Sequence, residues 1–261
     1  MITVAGCGRM GAPMLEALRA AGFDAQGFDV AAKEARHITD QISDIKDKTE
    51  TLITVVRDIA QTDDVLFGAQ NFAQGTALNR IIICSTLSPR YVRDLRNRIA
   101  DHITLIDAPM SGAEIAAREA RLSFMLGGGE AELSAAQLLF DAMGAHFHHM
   151  GDFGAGMQAK VLNNLLAASN TAMTRLVLDW ADQAGLDEAN LLNLIQTSSG
   201  QNWFASGFND IEFARDGMSD DNTIGILVKD VASALDAAPK DADLALPQQV
   251  QSVIKALKPR T

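Results

Sequence analysis

The sequence contains few cysteines and no long apolar segment. Its 261 residues include two cysteines, Cys7 and Cys84, and each ends an apolar run that predicts a buried strand. Two buried thiols without a disulfide framework favour a reducing, cytoplasmic location. No basic segment precedes the apolar residues 2–5, so we expect no secretory signal. No apolar stretch approaches the roughly 20 residues that a transmembrane helix needs, so we expect no membrane association.

Positive charge is also scarce. Lys and Arg number 22 against 33 Asp and Glu, which gives a formal net charge of -11, and the cations form no long run. A nucleic-acid backbone or an anionic membrane is therefore a poor partner. Hydrophobic residues make up 48% of the chain and charged residues 21%, which is ordinary for one or two globular domains.

The first half of the chain alternates short apolar runs with helical patterns. A helix is predicted at 10–21, where Gly22 ends it, and another at 90–100 after Pro89. Alternating strands and helices predict a parallel sheet with helices on both faces. Strands are predicted at 2–5, 25–28, 52–56, 81–84, 103–106 and 122–126.

The pattern changes after Gly151. Residues 155–184 are rich in Ala and Leu, contain no proline and predict one helix long enough to link two domains. Only helices are predicted beyond it, near 188–197, 211–216, 224–237 and 247–257. We therefore expect an α/β domain at 1–152 and an all-α domain at 153–261. The long helix and the apolar helices after it favour a homodimer or homotetramer.

A G-x-G-x-x-G pattern occupies residues 6–11, between the first predicted strand and the first predicted helix. In this setting the pattern is typical of a Rossmann-like, dinucleotide-binding domain. Gly6 permits a tight turn, Gly8 lets a pyrophosphate approach the backbone, and Gly11 lets the helix pack closely on the sheet. The helix N-terminus offers N–H groups to the phosphates. The cofactor contacts predicted in this loop are Gly6, Gly8, Arg9, Met10 and Gly11.

Asp29 ends the second predicted strand, 18 residues after Gly11. An acidic residue at this place accepts hydrogen bonds from a ribose diol and repels an added 2′-phosphate. The next residues, 30–32, supply no cation, although Lys33 is close in sequence. The sequence therefore favours NAD as the cofactor, with NADP as the alternative.

Four separated blocks of the sequence carry a further pattern. They are residues 4–14, 107–113, 154–164 and 227–230, and the second and third, DAPMSGA and GAGMQAKVLNN, are the specific ones. In order and spacing, the blocks resemble the β-hydroxyacid dehydrogenase family over nearly the whole chain. The resemblance implies a Rossmann-like doubly wound sheet, a long interdomain helix and an all-α C-terminal domain. It also implies hydride transfer between a nicotinamide cofactor and a small 3-hydroxy acid or its semialdehyde.

Alcohol oxidation requires a base. The cofactor takes the hydride, so the protein must remove the hydroxyl proton, and the sequence has no zinc-ligand pattern for a metal route. Lys160 lies one turn into the long helix, and Asn164 at i+4 shares its helix face. A buried lysine would release its proton readily enough to act as a base. The resemblance implies the same roles, with Lys160 as general acid/base and Asn164 orienting the substrate.

The resemblance implies a substrate-carboxylate loop at Ser111, Gly112 and Ala113, where a hydroxyl and backbone N–H groups form an anion nest. The family often has Gly at the position of Ala113. Alanine is tolerated there if the backbone avoids positive φ. The alternative reading of this segment is an ordinary turn between a strand and a helix.

Three further cofactor contacts are expected. Lys229 resembles a family lysine near the nicotinamide. Thr86 lies just beyond the end of one predicted strand and Val56 ends the strand before it, and open sheets bind ligands at such ends. A solvated charge pair of Lys229 with Asp230 is the alternative. The family commonly has Leu-Pro where this chain has Val56-Arg57, which leaves the contacts of that loop open.

Two other functions compete with a 3-hydroxy acid dehydrogenase. An imine or ketone reductase would use a similar scaffold, but such relatives tend to replace the lysine. A non-catalytic NAD-binding scaffold protein would have lost the pair Lys160 and Asn164 or the loop of Ser111 and Gly112. Both residues are present, which favours the alcohol–semialdehyde reaction. The sequence does not choose among 3-hydroxyisobutyrate, glycerate or tartronate semialdehyde, serine and 3-hydroxypropionate as substrates, nor does it give the direction of the reaction.

Two clusters are set aside. His146 and His148 share one face of a predicted strand while His149 faces away, and no further ligands stand at metal spacing, so we expect no metal site. Trp203 and Phe204 either wall a substrate pocket or pack between C-terminal helices.

Overall fold

The computed structural model describes residues 1–31 and 36–260, so Lys33 lies outside the described residues. By contacts the chain forms two compact units, Met1–Lys160 and the part that begins at Val161. Their boundary falls inside one continuous helix, Ala155–Gln183, which confirms the long helix predicted at 155–184. The domain boundary predicted at 152/153 lies just before this helix. Within the two described ranges, no helix is long and apolar enough to cross a membrane.

The first unit is built on one sheet. Its strands are β1 (Ile2–Ala5), β2 (Ala25–Phe28), β3 (Ile38–Thr39), β4 (Thr51–Thr54), β5 (Arg80–Ile83), β6 (Thr104–Asp107), β7 (Met110–Ser111), β8 (Leu122–Gly127) and β9 (Gly144–Gly151). Across the described part of the sheet, the order is β3-β2-β1-β4-β5-β6-β8-β7, and β9 pairs with β8. The strands from β3 to β6 run parallel to one another, as predicted.

The far side of the sheet differs from the parallel arrangement that the sequence indicated. β8 runs antiparallel to β6, and β7 runs antiparallel to β8. β7 has only two residues, too few to show the alternation that identifies a strand in a sequence. Residues 112–121, between β7 and β8, hold one short helix, α5 (Ala113–Arg118). This segment is too short for a parallel connection, which needs about a dozen residues or more.

Helices cover both faces of the sheet, as predicted. Besides α5 they are α1 (Gly11–Ala20), α2 (Ile42–Ile45), α3 (Ile59–Leu66), α4 (Pro89–Arg98) and α6 (Glu130–Met143). Adjacent side chains of a strand point to opposite faces. Ile53 and Ile82 pack in one apolar layer with α1 and α6, whereas Leu52 and Ile81 pack in a second layer with α3 and α4. The central strands are therefore mostly apolar, and even Thr3 and Thr54 are buried, because neither face meets water.

The regular secondary structure in the described residues of the second unit is entirely helical. After α7 (Ala155–Gln183) come α8 (Glu188–Gln196), α9 (Trp203–Ser206), α10 (Thr223–Asp236) and α11 (Ala245–Lys255). The helix predicted at 211–216 is wrong, because residues 212–215 form a turn. Phe213 and Ala214 nevertheless pack into an apolar cluster. Apolar residues buried in a turn therefore gave the spacing that is typical of a helix. The short α9 was not predicted. Asn202 caps its N-terminus, since the side chain of Asn202 accepts a hydrogen bond from the N–H of Ala205.

Two arginines fix the last described residues to the helices of the second unit. Arg175 of α7 is buried and donates to three main-chain carbonyls, those of Ala214, Asp216 and Lys258. Arg260 forms ion pairs with carboxylates of α7 and of the start of α8, namely Asp179, Asp182 and Glu188. The segment after α11 is thus fixed without any secondary structure of its own.

Candidate functional site

The loop at residues 6–11, called the glycine loop below, follows β1, where the order of strands in the sheet reverses. β2 lies on one side of β1 and β4 on the other, so the carboxyl ends of β1 and β4 flank the crevice in which open sheets bind ligands. Gly6 has a φ of +94°, and a Cβ atom there would lie 2.7 Å from the carbonyl oxygen of Val55 and 2.9 Å from Cγ1 of Val56. Only glycine fits this turn, because a side chain would meet both the left-handed backbone and the chain that follows β4.

The two other glycines of the loop have contrasting surroundings. A Cβ atom on Gly11 would lie 1.9 Å from the carbonyl oxygen of Gly6, so the start of α1 packs directly on the loop. Gly8 is exposed, and a Cβ atom there would meet nothing within 4 Å. The space above Gly8 is therefore open to a ligand. Contact of Gly8, Arg9 and Met10 with a dinucleotide stays a prediction.

Asp29 follows β2 and is fixed against the glycine loop. Its Oδ2 accepts a hydrogen bond from the N–H of Cys7 at 2.8 Å, and its Oδ1 accepts one from the N–H of Ala31 at 2.9 Å. Each carboxylate oxygen has a further lone pair, so the side chain can still accept hydrogen bonds from a ribose diol. The bond to Cys7 was not predicted, because nothing in the sequence connects a loop amide with a particular side chain 22 residues away.

The thiol of Cys7 points away from solvent. Its Sγ lies 3.4 Å from the carbonyl oxygen of Val4 and 3.8 Å from that of Phe28, as a weak donor. Burial, together with the charge of Asp29, raises the pKa of Cys7 to about 12. Burial also raises the pKa of Cys84. Both thiols therefore stay protonated at neutral pH, as expected of structural cysteines rather than nucleophiles.

The predicted contacts after β4 and β5 lie near the carboxyl edge of the sheet. Val56 follows β4 by two residues rather than ending it, and it is half-buried beside Gly6. Thr86 is half-buried between β5 and α4. Arg57 is exposed, and its N–H donates to Oε1 of Gln61 at 3.0 Å, which ties the loop to the first turn of α3. Val56 and Thr86 remain predicted cofactor contacts.

The loop predicted for the substrate carboxylate joins β7 to α5. Ser111 is half-buried at the end of β7, and Gly112 has a φ of +137°, which favours glycine. Ala113 has a φ of +55°. Alanine would replace glycine here without strain only at a negative φ, and the φ of Ala113 is positive. The left-handed backbone at Ala113 therefore lowers the free energy of unfolding by on the order of 1 kcal/mol relative to glycine. Carboxylate binding by this loop stays a prediction.

Lys160 and Asn164 are both buried, with exposed fractions of 7% and 8%. They lie one turn apart on the same face of α7. Lysine side chains are almost never this buried in proteins without a structural or chemical reason. The lysine predicted as general acid/base is therefore shielded from open solvent.

Asp230 joins two of the predicted site residues in the second unit. Its Oδ2 accepts a hydrogen bond from Nδ2 of Asn164 at 2.5 Å, and its Oδ1 lies 3.0 Å from Nζ of Lys229. Asp230 is only 3% exposed, whereas the side chain of Lys229 is 34% exposed. The pair of Lys229 with Asp230 is thus anchored on a buried carboxylate. The sequence showed Asp230 only as the neighbour of Lys229 and gave no sign of its bond to Asn164.

Trp203, Phe204 and the histidines of β9 differ in their surroundings. Phe204 is fully buried in an aromatic cluster, which decides for packing in its case, while Trp203 beside it is 51% exposed. His149 on β9 lies with Nε2 3.1 Å from the carbonyl oxygen of Gly128. In residues 1–31 and 36–260, no three His, Cys, Asp or Glu side chains group closely enough to hold a metal ion.

Family models match both halves of the chain. Residues 1–151 match the NAD binding domain of 6-phosphogluconate dehydrogenase, and residues 154–260 match the NAD-binding domain of NADP-dependent 3-hydroxyisobutyrate dehydrogenase. A glycine loop at a sheet crevice, with a fixed acidic residue after β2, fits such a nucleotide. The fold and these matches define an NAD(P)-dependent oxidoreductase.

Individual relatives narrow the family. A 3-hydroxyisobutyrate dehydrogenase of Pseudomonas aeruginosa is 31% identical over 80% of this chain and 73% of its own length. An NAD-dependent L-serine dehydrogenase of the same organism is 32% identical over 80% and 73%. The structure of a Mycobacterium tuberculosis 3-hydroxyisobutyrate dehydrogenase with L-serine is 25% identical, with a TM-score of 0.79 over 98% of this chain and 95% of that one. This chain belongs to the β-hydroxyacid dehydrogenase family.

Proposed function

We propose that the protein oxidises a small 3-hydroxy acid with NAD, or reduces the matching semialdehyde, and that Lys160 is its general acid/base. The observation that carries the proposal is the burial of Lys160, 7% exposed, one helical turn from the equally buried Asn164. An amine shielded from water can hold or release a proton at a fixed point, as a general base must.

The protein residues have distinct tasks in this reaction. A bound nicotinamide supplies the hydride acceptor. The amine of Lys160 takes the proton of the substrate hydroxyl during oxidation and returns it during reduction. Asn164 directs one N–H to Asp230. Its Oδ1 accepts a hydrogen bond from Nδ2 of Asn163 at 3.4 Å and has a second lone pair for a donor such as the substrate hydroxyl. The loop of Ser111, Gly112 and Ala113 binds the substrate carboxylate.

The position of Asp29 supports NAD over NADP. Its carboxylate is held by the amides of Cys7 and Ala31, so it cannot swing away easily from an added phosphate. A 2′-phosphate placed there would face a like charge, which costs several kcal/mol when the charges are close.

The substrate is proposed only as a class. The relatives are named for 3-hydroxyisobutyrate and L-serine, and both molecules carry a carboxylate and a hydroxyl on the third carbon. Differences of one methylene group change binding by about 1–3 kcal/mol. A panel of 3-hydroxyisobutyrate, glycerate, serine and 3-hydroxypropionate, each with NAD and with NADP, would identify the preferred pair.

Replacing Lys160 with Ala tests the mechanism. We expect turnover to fall by about 10²–10⁴-fold, because a positioned acid/base contributes that much, while the dissociation constant for NADH stays nearly constant. Lys255→Ala is the matched control, since Lys255 is exposed at the end of α11. Unchanged turnover in the Lys160 variant would defeat the proposal. Cofactor binding without turnover of any 3-hydroxy acid by the wild type would favour a scaffold protein.

A homodimer or homotetramer is proposed from α7. Leu162, Leu166, Met173 and Trp180 are each more than half exposed and recur at spacings of four and seven residues, so they form one apolar stripe. An apolar stripe on a long helix is well suited to a second copy of the same helix. Light scattering at micromolar concentration should give a multiple of the chain mass of 27.9 kDa, and a monomer would refute this.

A further inference from the structure

Asp107 is a completely buried carboxylate at the carboxyl end of β6. Its Oδ1 accepts a hydrogen bond from the N–H of Gly154 at 2.6 Å, and its Oδ2 accepts one from the N–H of Met157 at 2.5 Å. Both donors belong to the entry of α7. Amides in the first turn of a helix have no partner within the helix, and here one side chain from the sheet, about 50 residues earlier, satisfies two of them.

The same turn of α7 packs on the sheet without a layer of side chains between them. A Cβ atom on Gly156 would lie 2.3 Å from the carbonyl oxygen of Met125, and one on Gly127 would lie 2.1 Å from Oδ1 of Asp107. Glycine is required at both positions because main chain meets main chain or carboxylate there. The helix therefore has little freedom to slide along the sheet.

Met157 adds a second anchor. Its side chain is completely buried in the apolar layer that covers one face of the sheet. Its Sδ accepts a hydrogen bond from the N–H of Leu87 at 3.3 Å. The main chain of Met157 is thus held by Asp107 and its side chain by the segment after β5, so the first turn of α7 is fixed in both position and rotation.

Lys160 follows Met157 by three residues on the same helix. With a rise of about 1.5 Å per residue, its Cα atom lies roughly 4.5 Å further along the axis. We propose that Asp107 is a positioning residue, which clamps the first turn of α7 to the end of β6 and so sets where the amine of Lys160 stands. This inference rests on the proposed acid/base role of Lys160.

A carboxylate suits this clamp better than an amide. It only accepts hydrogen bonds, so both oxygens can take an N–H, whereas Asn would offer one oxygen and turn its own NH₂ toward the other donor. A negative charge also favours the N-terminal end of a long helix. Burial raises the pKa of Asp107 to about 6 against the opposing effect of the two N–H donors and Arg93, so the charged form prevails at neutral pH.

The test compares Asp107→Asn with Asp187→Asn. Asp187 is exposed and accepts the N–H of Asn190 at 2.8 Å, so the control removes a similar capping bond from α8. For Asp107→Asn we expect kcat to fall about 10–100-fold, the size of effect that a displacement near 1 Å produces, with the NADH dissociation constant within about threefold of wild type. The control should leave both values unchanged. If Asp107→Asn only destabilised the protein, kcat and NADH binding would be lost together.

The same substitution in the Lys160→Ala background separates the two proposals. If Asp107 acts through Lys160, Asp107→Asn should change the residual turnover of Lys160→Ala by less than about twofold. An equal loss in both backgrounds, or full kcat in the Asp107→Asn single variant, overturns the positioning role but leaves that of Lys160 intact. Full turnover in Lys160→Ala would instead end the acid/base proposal.

Amide hydrogen exchange covers the case in which Asp107→Asn does not fold. In the wild type, the amides of Gly154 and Met157 should exchange as slowly as those of the central strands, because both donate to a buried acceptor. Exchange at the rate of open loops would show that the clamp does not hold in solution and would overturn the inference.

Discussion

The two compact units present their predicted ligand-binding residues in different ways. In the sheet unit, the glycine loop and the loop at 111–113 offer mainly backbone, shaped by positive φ angles and close approaches. In the helical unit, Asn164 and Lys229 offer side chains that meet on Asp230. A site made of backbone is sensitive to added volume, whereas a site made of side chains is sensitive to a lost partner. The two should therefore fail under different substitutions.

The largest expected effect is in the glycine loop. Gly11→Ala places a Cβ atom 1.9 Å from the carbonyl oxygen of Gly6 and should destabilise the protein by about 3 kcal/mol or more. Gly8→Ala meets no atom within 4 Å and should keep stability within about 0.5 kcal/mol while NADH binding weakens. Thermal unfolding and NADH titration separate the two. Equal stability losses would show that the loop is not held as described.

The next effect tests the side-chain site. Asp230→Asn removes the charged acceptor that Asn164 and Lys229 share, and hydrogen bonds to charged groups contribute about 1.5–3 kcal/mol. We expect kcat/KM for the hydroxy acid to fall by about 10–100-fold. The exchange variant Asn164→Asp with Asp230→Asn restores the pair of carboxylate and amide and should recover stability. If Asp230→Asn alone is as active as wild type, side-chain pairing does not matter to this site.

In the sheet unit, the predicted preference between NAD and NADP depends on one side chain, that of Asp29. Asp29→Ser removes the charge that faces a 2′-phosphate, so the preference for NAD over NADP should drop by about tenfold or more. Ratios of kcat/KM for the two cofactors provide the measurement. A wild-type preference for NADP would contradict the role given to Asp29.

The smallest expected effect is a pH dependence from Asp107. Its pKa rises from 3.8 in the unfolded chain to about 6 in the folded one, so the folded state binds this proton more tightly. The resulting stability is fully present below pH 3.8 and is lost as the pH rises through 6. Relative to Asp107→Asn, the wild type should gain about 1 kcal/mol in unfolding free energy between pH 7 and pH 5. A constant difference, measured by denaturant titration, would contradict the shift.

The pattern of apolar residues along the sequence predicted the strands and helices that are set by local burial. The strands at 2–5 and 25–28 and the long helix match the structure because burial on both faces and a proline-free helical run leave direct marks in the sequence. β7 and the turn at 212–215 do not, because a two-residue strand and a buried turn have no period of their own.

The site was predictable as motifs but not as contacts. The bonds of Asp107 to α7 and of Asp230 to Asn164 join residues about 50 and 66 positions apart. Both carboxylates belong to blocks that carry the family resemblance, but nothing in those blocks shows which groups each carboxylate binds. The positive φ of Ala113 is likewise invisible, since alanine gives no sign of a left-handed backbone.

Arg175 has a consequence for how the helical unit comes apart. One guanidinium gathers carbonyls from the turn around 214–216 and from the last segment near 258, and lysine could not copy that planar fork. Loss of this single side chain would weaken two stretches that are distant in sequence at the same moment, although the ion pairs of Arg260 would still hold the last one.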